Sequence, residues 1–522
     1  MAVWQRQFFF RAPVLLLLVL VFLFVIALGL RLYNIDEPPS DFHPTRQYRS
    51  AIIARGYYYE ALRTASEWKR DLASLNKQRE GSLEPPIMEL MASFAYRIYG
   101  GEHLWIPRLL SITFWMVGGV FLYLIARQIV SAPAAVISTA FYLLLPYGVI
   151  ASRSFQPDPL MVMLLLISIF TILRYHDNLS GFRLGIAASI SSLAALTKPV
   201  CLFLIFGTFF SVAIYRQGIR RSLINPTSLL FTTVTLSLTT IYYGYGIFAA
   251  GFLRGQAESS FFPHLLAQPA FWENWLKKIM EVIGGTYLIV ALLGVLMLSG
   301  GLSRALLIGL WSSYLVFGLA FNYYIHTHDY YQLQFIPVVG LSLGPAGALI
   351  MRLISQRGRG PYRSAYVRGI VFLAGTLSLL LIALSVVSAT REARSELAAS
   401  QFENRIKTYE EIGEVVKHSP STLFWAPDYG KPLEYYGWIS GRQWPTMDDI
   451  ESERLQGARE TSTEERFEEM DAEIAPEYFI FILDSEWANT QEQKDLEGFL
   501  TSNFSVLAEN DDYMVFSLRE ED

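Results

Sequence analysis

The chain contains few cysteines and few charged residues for its length. One cysteine, Cys201, occurs in 522 residues, so the sequence holds no disulfide framework. Charged residues make up 17% of the chain, whereas soluble domains usually have about 25%. The arginines are scattered over short loops and form no basic domain, so no nucleic-acid signature is present. Internal repeats and low-complexity segments are also absent. Because 52% of the residues are hydrophobic, we expect a membrane protein with several spans.

Apolar runs recur throughout the first 390 residues. A helix needs about 20 mostly apolar residues to cross the hydrocarbon core of a bilayer. The first run is longer than the apolar region of a typical signal peptide, so we expect it to be a retained span. About eleven spans are predicted, at 12–30, 105–126, 132–151, 159–173, 184–197, 199–215, 226–247, 281–299, 305–323, 332–354 and 369–389.

The loops between these runs differ in their arginine content. Cytoplasmic loops carry an excess of Lys and Arg, and alternate loops of this chain do so if its N-terminus is cytoplasmic. These loops are 127–131, 174–183, 216–221, 300–304 and 352–368. We therefore predict a multi-pass protein of the inner (plasma) membrane with a cytoplasmic N-terminus. Residues 31–104 and everything after 390 are then extracytoplasmic.

Two domains are predicted. Residues 1–390 form a transmembrane domain, in which the first outer loop, 31–104, contains helices that lie in the membrane interface. Residues 391–522 form a soluble α/β domain. Its strands are predicted at 422–425, 478–484, 503–508 and 513–518, with a hairpin turn at 509–512 and a helix at 491–500.

The segment 36–49 is dense in chemically active side chains. It contains the carboxylates of Asp36, Glu37 and Asp41 together with His43, Arg46 and Gln47. A carboxylate that stays ionised beside basic groups could act as a general base toward an acceptor hydroxyl or amine. The alternative is a proline-rich turn that caps a helix, and the local sequence leaves both interpretations open.

Two further outer turns carry charges at the ends of apolar runs. Arg153 and Asp158 could form a simple ion pair within their turn, yet charges at the ends of membrane helices are often functional. Lys198 lies between two apolar runs. It could be a lysine whose ammonium reaches toward water from a helix end, or it could bind a phosphate.

A polar and aromatic cluster lies in residues 323–332. His326, His328, Asp329 and Tyr330 could line a substrate cavity. His326 and His328 could also hold a divalent metal together with Glu84 or Asp329, provided that the loop geometry brings them together. The tyrosines alone indicate little, because aromatic residues are common at membrane interfaces.

Residues 10–390 resemble the polyprenyl-phosphate-dependent GT-C glycosyltransferases, specifically bacterial relatives of protein O-mannosyltransferases and of the lipid A aminoarabinose transferase. The resemblance begins with an acidic outer loop after one helix. It continues with Pro85-Pro86-Ile87, Ile98-Tyr99-Gly100, Pro107-Arg108-Leu109, Ser152-Arg153-x4-Asp158, Leu196-Thr197-Lys198 and His328-Asp329-Tyr330-Tyr331-Gln332-x4-Pro337. Many members have an adjacent Asp-Glu pair where this chain has Arg46-Gln47. Asp41 is therefore chosen as the catalytic acid, and the pair Asp36-Glu37 is the alternative.

The resemblance implies a GT-C-like membrane fold and an inverting transfer of a sugar from a polyprenyl phosphate. Asp41 would be the base, and Asp158 would orient the neighbours of Asp41 or the acceptor. Lys198, Arg153 and Arg46 would bind the donor phosphate. His43, Gln47, Glu84, His326, His328, Asp329 and Tyr330 would contact substrate. No cofactor is required, although a divalent metal could take part, and the acceptor is a protein, lipid or glycan. The alternative function is a non-catalytic transporter or flippase of lipid-linked glycans.

Overall fold

The structure is a computed structural model that describes residues 2–81, 83–258, 260–298, 300–355, 387–395, 397, 403–447, 449–450, 459, 461–483 and 491–519. Contacts divide the chain into two compact units. The membrane unit contains residues 1–35, 82–87 and 107–399. The sheet unit contains residues 36–81, 88–106 and 400–522.

The first 355 residues are mostly helical. In chain order, the first helices are α1 (Ala2–Leu32), α2 (Pro44–Ala61), α3 (Glu67–Glu80), α4 (Ile87–Tyr99), α5 (Trp105–Ile129), α6 (Ala132–Leu144), α7 (Pro146–Ala151), α8 (Asp158–Asp177) and α9 (Gly181–Thr197). The next are α10 (Leu202–Gln217), α11 (Ile219–Ile224), α12 (Pro226–Thr239), α13 (Arg254–Glu258), α14 (Pro269–Ile283), α15 (Gly285–Met297), α16 (Leu302–Ala320), α17 (Asn322–Thr327) and α18 (Phe335–Ser355). A π-helical segment, Thr240–Ala249, follows α12.

Among the described residues, five helices are long and apolar enough to cross a membrane. They are Val14–Leu32, Trp105–Ile129, Asp158–Asp177, Pro199–Gln217 and Leu302–Ala320. Two bent pairs raise the number to seven if each pair is one span, and Ala132–Leu144, Gly181–Thr197 and Phe335–Ile350 are shorter apolar helices. The predicted span 132–151 is divided at Leu145, since Pro146 has no N–H to continue the helix. The predicted span 369–389 lies, apart from its last three residues, outside the described residues.

Local sequence signals set several helix ends. The Ser180 side chain accepts a hydrogen bond from the Arg183 N–H at the start of α9. Asn225 accepts one from the Thr227 N–H at the start of α12. Both are typical N-caps, which satisfy backbone donors that a helix leaves unpaired. Gly284 lies at φ 83° between α14 and α15, and these two helices are bent by 94°. Glycine adopts this left-handed conformation without steric cost.

The C-terminal part of the sheet unit is a small α/β fold. Its helices are α19 (Glu403–Val415), α20 (Lys431–Gly437), α21 (Thr463–Ile474) and α22 (Gln491–Asn503). Its strands are β1 (Thr422–Trp425), β2 (Gly441–Gln443), β3 (Tyr478–Ile482), β4 (Ser505–Glu509) and β5 (Tyr513–Ser517). The sheet order is β2-β1-β3-β5-β4, and β1 pairs in parallel with β2 and β3 while β5 pairs antiparallel with β3 and β4. Leu423, Phe479, Phe481 and Phe516 form the centre of its core.

The predicted fold class is confirmed: the chain is a polytopic helical membrane protein with a C-terminal domain that carries a small sheet. The contacts add one feature to the predicted domain division. Most of the first outer loop groups with the C-terminal domain. Asn76 in α3 donates a hydrogen bond to the Ile439 carbonyl at 2.9 Å, and Arg79 donates to the Ser440 hydroxyl at 2.7 Å. These bonds hold α3 against the chain that enters β2.

Candidate active site

An ion pair joins the ends of two helices in the membrane unit. Asp158 is the first residue of α8, and Lys198 follows the last residue of α9. The Lys198 Nζ lies 2.8 Å from the Asp158 Oδ1, and the two side chains are 5% and 1% exposed. Lys198 has an extended backbone and is followed by Pro199, which stops α9 and begins a separate helical turn. The sequence therefore places an ammonium and a carboxylate together at a buried helix junction.

Aromatic residues from the 323–332 cluster lie against this ion pair. The Lys198 Nζ is 5.1 Å from the ring centre of Tyr330 and 5.2 Å from that of Tyr331. The ring of His328 packs edge-on to Tyr330 at 5.3 Å. The Asp329 carboxylate accepts a hydrogen bond from the Tyr330 N–H at 2.7 Å and so shapes this turn. The structure thus brings Asp158, Lys198, Tyr330 and His328 into one cluster, which we call the lysine site.

Arg153 fixes the chain that leaves α1. Its two terminal nitrogens donate to the carbonyls of Tyr33 and Asn34, each at 2.7 Å, and the side chain is buried. Arg31 is also buried, and it contacts the residue that precedes Arg153. It donates to the Ser152 hydroxyl at 2.7 Å and to the Leu143 carbonyl at 2.9 Å. Arg153 is thereby a positioning residue in this structure, and its predicted role in phosphate binding stays a prediction.

The residues considered as possible metal ligands make other contacts in the structure. His326 Nδ1 lies 2.6 Å from the Asn322 carbonyl within α17, and its ring packs against Phe271 at 5.4 Å. Glu84 lies in the short segment 83–87. Within the described part of the chain, no group of three or more His, Cys, Asp or Glu side chains could hold a metal ion. Metal binding by Glu84, His326 and His328 stays a prediction.

The segment around Asp41 belongs to the sheet unit. Gln47 is fully buried, and its amide donates to the Phe42 carbonyl at 2.7 Å and to the Asp41 Oδ1 at 3.3 Å. His43 precedes α2 with a φ of 45°, and its ring packs edge-on to Phe42 at 4.6 Å. The Arg46 N–H donates to the His43 carbonyl at 3.0 Å in the first turn of α2. Gln47 thus orients Asp41 and the loop that carries it.

Several buried charges of the sheet unit are not evident from the sequence. The Arg55 Nε lies 3.0 Å from the Glu102 Oε1, and Glu89 accepts a hydrogen bond from the Ser50 hydroxyl at 2.7 Å. Lys431 contacts carboxylates of both Glu80 and Glu434 at 2.7 Å. The available signal was a charged residue directly beside apolar ones, as with Arg55 after Ile52 and Ile53 in α2 and Glu89 between Met88 and Leu90 in α4.

Known proteins resemble this chain more in structure than in sequence. The model of the family described as "Dolichyl-phosphate-mannose-protein mannosyltransferase" matches residues 83–243. No curated protein matches this chain significantly in sequence. Crystal structures of ArnT from Cupriavidus metallidurans, in the apo state and bound to undecaprenyl phosphate, align with TM-scores of 0.55 and 0.56. Both are 13% identical, and each alignment covers 95% of this chain and 97% of the other.

The archaeal oligosaccharyltransferase AglB from Archaeoglobus fulgidus, in complex with an inhibitory peptide and a dolichol-phosphate, aligns with a TM-score of 0.52. It is 13% identical, and the alignment covers 94% of this chain and 72% of AglB. ArnT and AglB are GT-C glycosyltransferases.

The chain has the GT-C glycosyltransferase fold.

The match to the family model includes part of the lysine site. Arg153, Asp158 and Lys198 lie within residues 83–243, whereas Asp41 and the 323–332 cluster lie outside that range. The part of the chain that resembles the family in sequence therefore contains the ion pair. Outside residues 83–243, the chain resembles these proteins in fold alone.

Proposed function

We propose that the chain is a membrane glycosyltransferase that transfers a sugar from a polyprenyl-phosphate donor to an acceptor on the extracytoplasmic side. The observation that carries this proposal is the buried Lys198–Asp158 pair at the lysine site of a GT-C fold. The ArnT structure with undecaprenyl phosphate and the AglB structure with dolichol-phosphate support the class of donor. The proposal extends their lipid-phosphate chemistry to this chain.

Lys198 provides the cation for the donor phosphate. Its ammonium is almost fully buried, so an electrostatic contact there is weakened less by water than one at the surface. Asp158 holds the ammonium in place before the donor binds. The Tyr330 and Tyr331 rings add favourable cation–π contacts. Arg153 and Arg46 are proposed as further phosphate contacts.

Asp41 acts as the general base in a single displacement. It accepts the proton of the acceptor hydroxyl or amine as that atom attacks the anomeric carbon. The bond from this carbon to the phosphate oxygen breaks, the polyprenyl phosphate leaves with the electron pair, and the anomeric configuration inverts. Gln47 orients Asp41. His43, Glu84, His326, His328, Asp329 and Tyr330 are proposed to line the sugar and lipid cavity, and no metal is required by this step.

The transporter alternative predicts helices that are broken in the middle of the membrane. The 94° bend at Gly284 could be such a break. However, the helix before it, α14, carries Glu273, Lys277, Lys278 and Glu281, which is typical of an amphipathic helix at the membrane surface. The bend therefore favours a surface helix followed by a span, and it does not favour a transporter.

The test measures release of undecaprenyl phosphate by the purified full chain in liposomes. Synthetic undecaprenyl-phosphate mannose and undecaprenyl-phosphate aminoarabinose serve as donors, and a cell-envelope extract supplies acceptors. We expect Lys198→Ala to lower the rate by about 10²–10³-fold, because a preorganised charge at the leaving group is lost. Asp41→Asn should lower it by about 10²–10⁴-fold, the usual range for a general base.

Matched variants separate these roles from folding. Lys278→Ala removes a partly exposed lysine that pairs with Glu281, and Asp71→Asn removes an exposed carboxylate of α3, so both should keep full activity. Full activity of Asp41→Asn would remove it as the base, and loss in Asp36→Asn instead would move the base upstream. Unchanged activity in Lys198→Ala would contradict the phosphate site.

A further inference from the structure

A cleft of about 730 Å³ lies within the sheet unit, apart from the residues proposed for catalysis. Arg55, Tyr435 and Trp438 form one side of it, Trp68 and Lys69 of α3 form another, and α19 forms the third. Its volume is within the range of about 300–1,000 Å³ that is typical of small-molecule sites. It is therefore large enough to enclose a ligand of several rings.

Buried contacts hold the floor of the cleft rigid. The Arg55 guanidinium lies 3.6 Å from the ring centre of Tyr435 and 4.1 Å from that of Trp438. The same arginine donates to the Tyr435 carbonyl at 2.5 Å, and the Tyr435 hydroxyl donates to the Glu102 Oε1 at 2.6 Å. Trp438 has a φ of 47°, a conformation that costs free energy for a bulky residue and persists only where its surroundings impose it. The aromatic floor is thus preorganised before any ligand binds.

The rim presents an aromatic side chain to solvent. Trp68 is 43% exposed, and its ring stacks on His418 with centres 4.6 Å apart and planes 10° from parallel. It also meets Trp438 edge-on at 5.8 Å. Because His418 covers one face of this indole, only its other face remains for a ligand. A ring that is held in one orientation binds a ligand at a low cost in conformational entropy.

The charges of the cleft balance. Its lining includes three cationic and three anionic side chains besides His418: Arg55, Lys69, Lys407, Glu410, Glu411 and Glu414. A polyphosphate would therefore gain no net attraction, all the more because the Arg55 charge is already paired with Glu102. As far as the described residues show, the lining has aromatic, charged and imidazole side chains and no aliphatic ones. Lipid tails and apolar peptide side chains would find no aliphatic pocket there.

We propose that this cleft is a binding site for a neutral oligosaccharide. One face of a sugar ring carries C–H groups with partial positive charge, which suit the negative face of an indole or phenol ring. The hydroxyl groups around the edge of the sugar can donate to the Glu410 and Glu414 carboxylates and accept from Lys69 and Lys407. None of the residues proposed for the transfer reaction lines this site.

The test measures binding to the full chain in lipid nanodiscs. A fluorescent form of the protein is applied to an array of neutral, acidic and basic glycans, and the glycans that bind are titrated by calorimetry. We expect at least one neutral oligosaccharide to bind, with about tenfold weaker affinity for Trp68→Ala, the scale of one aromatic contact. Glu410→Ala should weaken binding several-fold, and because Glu410 is exposed the variant should fold as the parent chain does.

Two variants outside the cleft serve as controls. Tyr429→Ala removes another exposed aromatic residue of the sheet unit, and Glu469→Ala removes an exposed carboxylate of α21, so neither should change the affinity. Failure of every neutral glycan to bind would overturn the proposal. So would glycan binding that Glu410→Ala leaves unchanged, or capture of peptides alone on a parallel peptide array.

Discussion

The two units stabilise a buried arginine in different ways. In the membrane unit, Arg31 donates to neutral oxygens: the Ser152 hydroxyl and the carbonyls of Ala27, Leu143 and Gly148. In the sheet unit, Arg55 pairs with the Glu102 carboxylate and lies between two aromatic rings. Arg31 therefore links helix ends through hydrogen bonds to neutral acceptors. Arg55 instead neutralises the charge of the buried Glu102 carboxylate. The consequences of removing each arginine should differ accordingly.

The largest stability effect should come from Arg55→Met. This change leaves the Glu102 carboxylate buried beside Tyr435 without its cation, which typically costs about 3–5 kcal/mol. Protection of the α2 and α20 amides against hydrogen exchange should fall markedly. The double variant Arg55→Met with Glu102→Gln should recover part of the loss. Equal protection in the single and double variants would show that the charge of Glu102 is not what makes the arginine necessary.

Arg31→Met should have a smaller effect. The change removes hydrogen bonds to neutral acceptors, each worth about 1 kcal/mol net, so we expect a loss of about 2–4 kcal/mol. Hydrogen exchange at the end of α1 and in α7 measures it, with Arg31→Lys as the control that keeps the charge. A loss as large as that of Arg55→Met would erase the contrast between the two units.

The sheet unit should also respond to pH. Burial raises the pKa of Glu434 to about 7, with Lys431 opposing this shift and Glu80 adding to it. Because the raised pKa makes the folded state hold the proton more tightly, the stability from this group is complete below about pH 4.5. It is lost as the pH rises through about 7. We expect a loss of about 1–3 kcal/mol over this window.

Amide protection factors of α20, measured between pH 5 and pH 8, test this pH dependence. Glu434→Gln cannot titrate and should flatten the profile. The Lys431 pKa is also raised: burial lowers it, but the carboxylates of Glu434 and Glu80 more than offset burial. Lys431 therefore keeps its charge throughout this pH range. A profile that is equally steep in Glu434→Gln would assign the dependence to another group.

The smallest effect should come from an exposed pair of the membrane unit. Lys278 lies 2.9 Å from Glu281 on α14, and both side chains are partly exposed. Such surface pairs contribute about 0–1 kcal/mol. Thermal unfolding of Lys278→Ala should match that of the parent chain. A clear decrease would mean that α14 depends on this pair in a way that its exposure does not suggest.

Much of the fold could be predicted where a pattern is local. The predicted strand 422–425 coincides with β1, and the hairpin turn forms where Asn510 accepts hydrogen bonds from the Asp512 and Tyr513 N–H groups. β2 was missed because Gly441, Arg442 and Gln443 have no apolar alternation. This short strand exists because β1 offers it a parallel partner. The helices α20 and α21 were likewise not predicted.

In the candidate site too, local patterns could be predicted but contacts between distant segments could not. Asp158 and Lys198 could be selected because charges at the ends of apolar runs are unusual. Their pairing could not be read from the sequence, which left Arg153 as an equally natural partner for Asp158. The buried Arg55 and Glu434 were also missed, since their environment comes from segments far away in the chain.

The sequence by itself determined where most apolar helices lie, where three strands of the C-terminal sheet begin, and which charges stand out at helix ends. These features depend on neighbouring residues, through hydrophobic periodicity, capping side chains and proline. Only the tertiary structure decided that Lys198 meets Asp158 across 40 residues, and that Arg55 meets the Tyr435 carbonyl across 380. A buried charge takes its partner from whichever segment packs beside it, and that packing is a property of the whole fold.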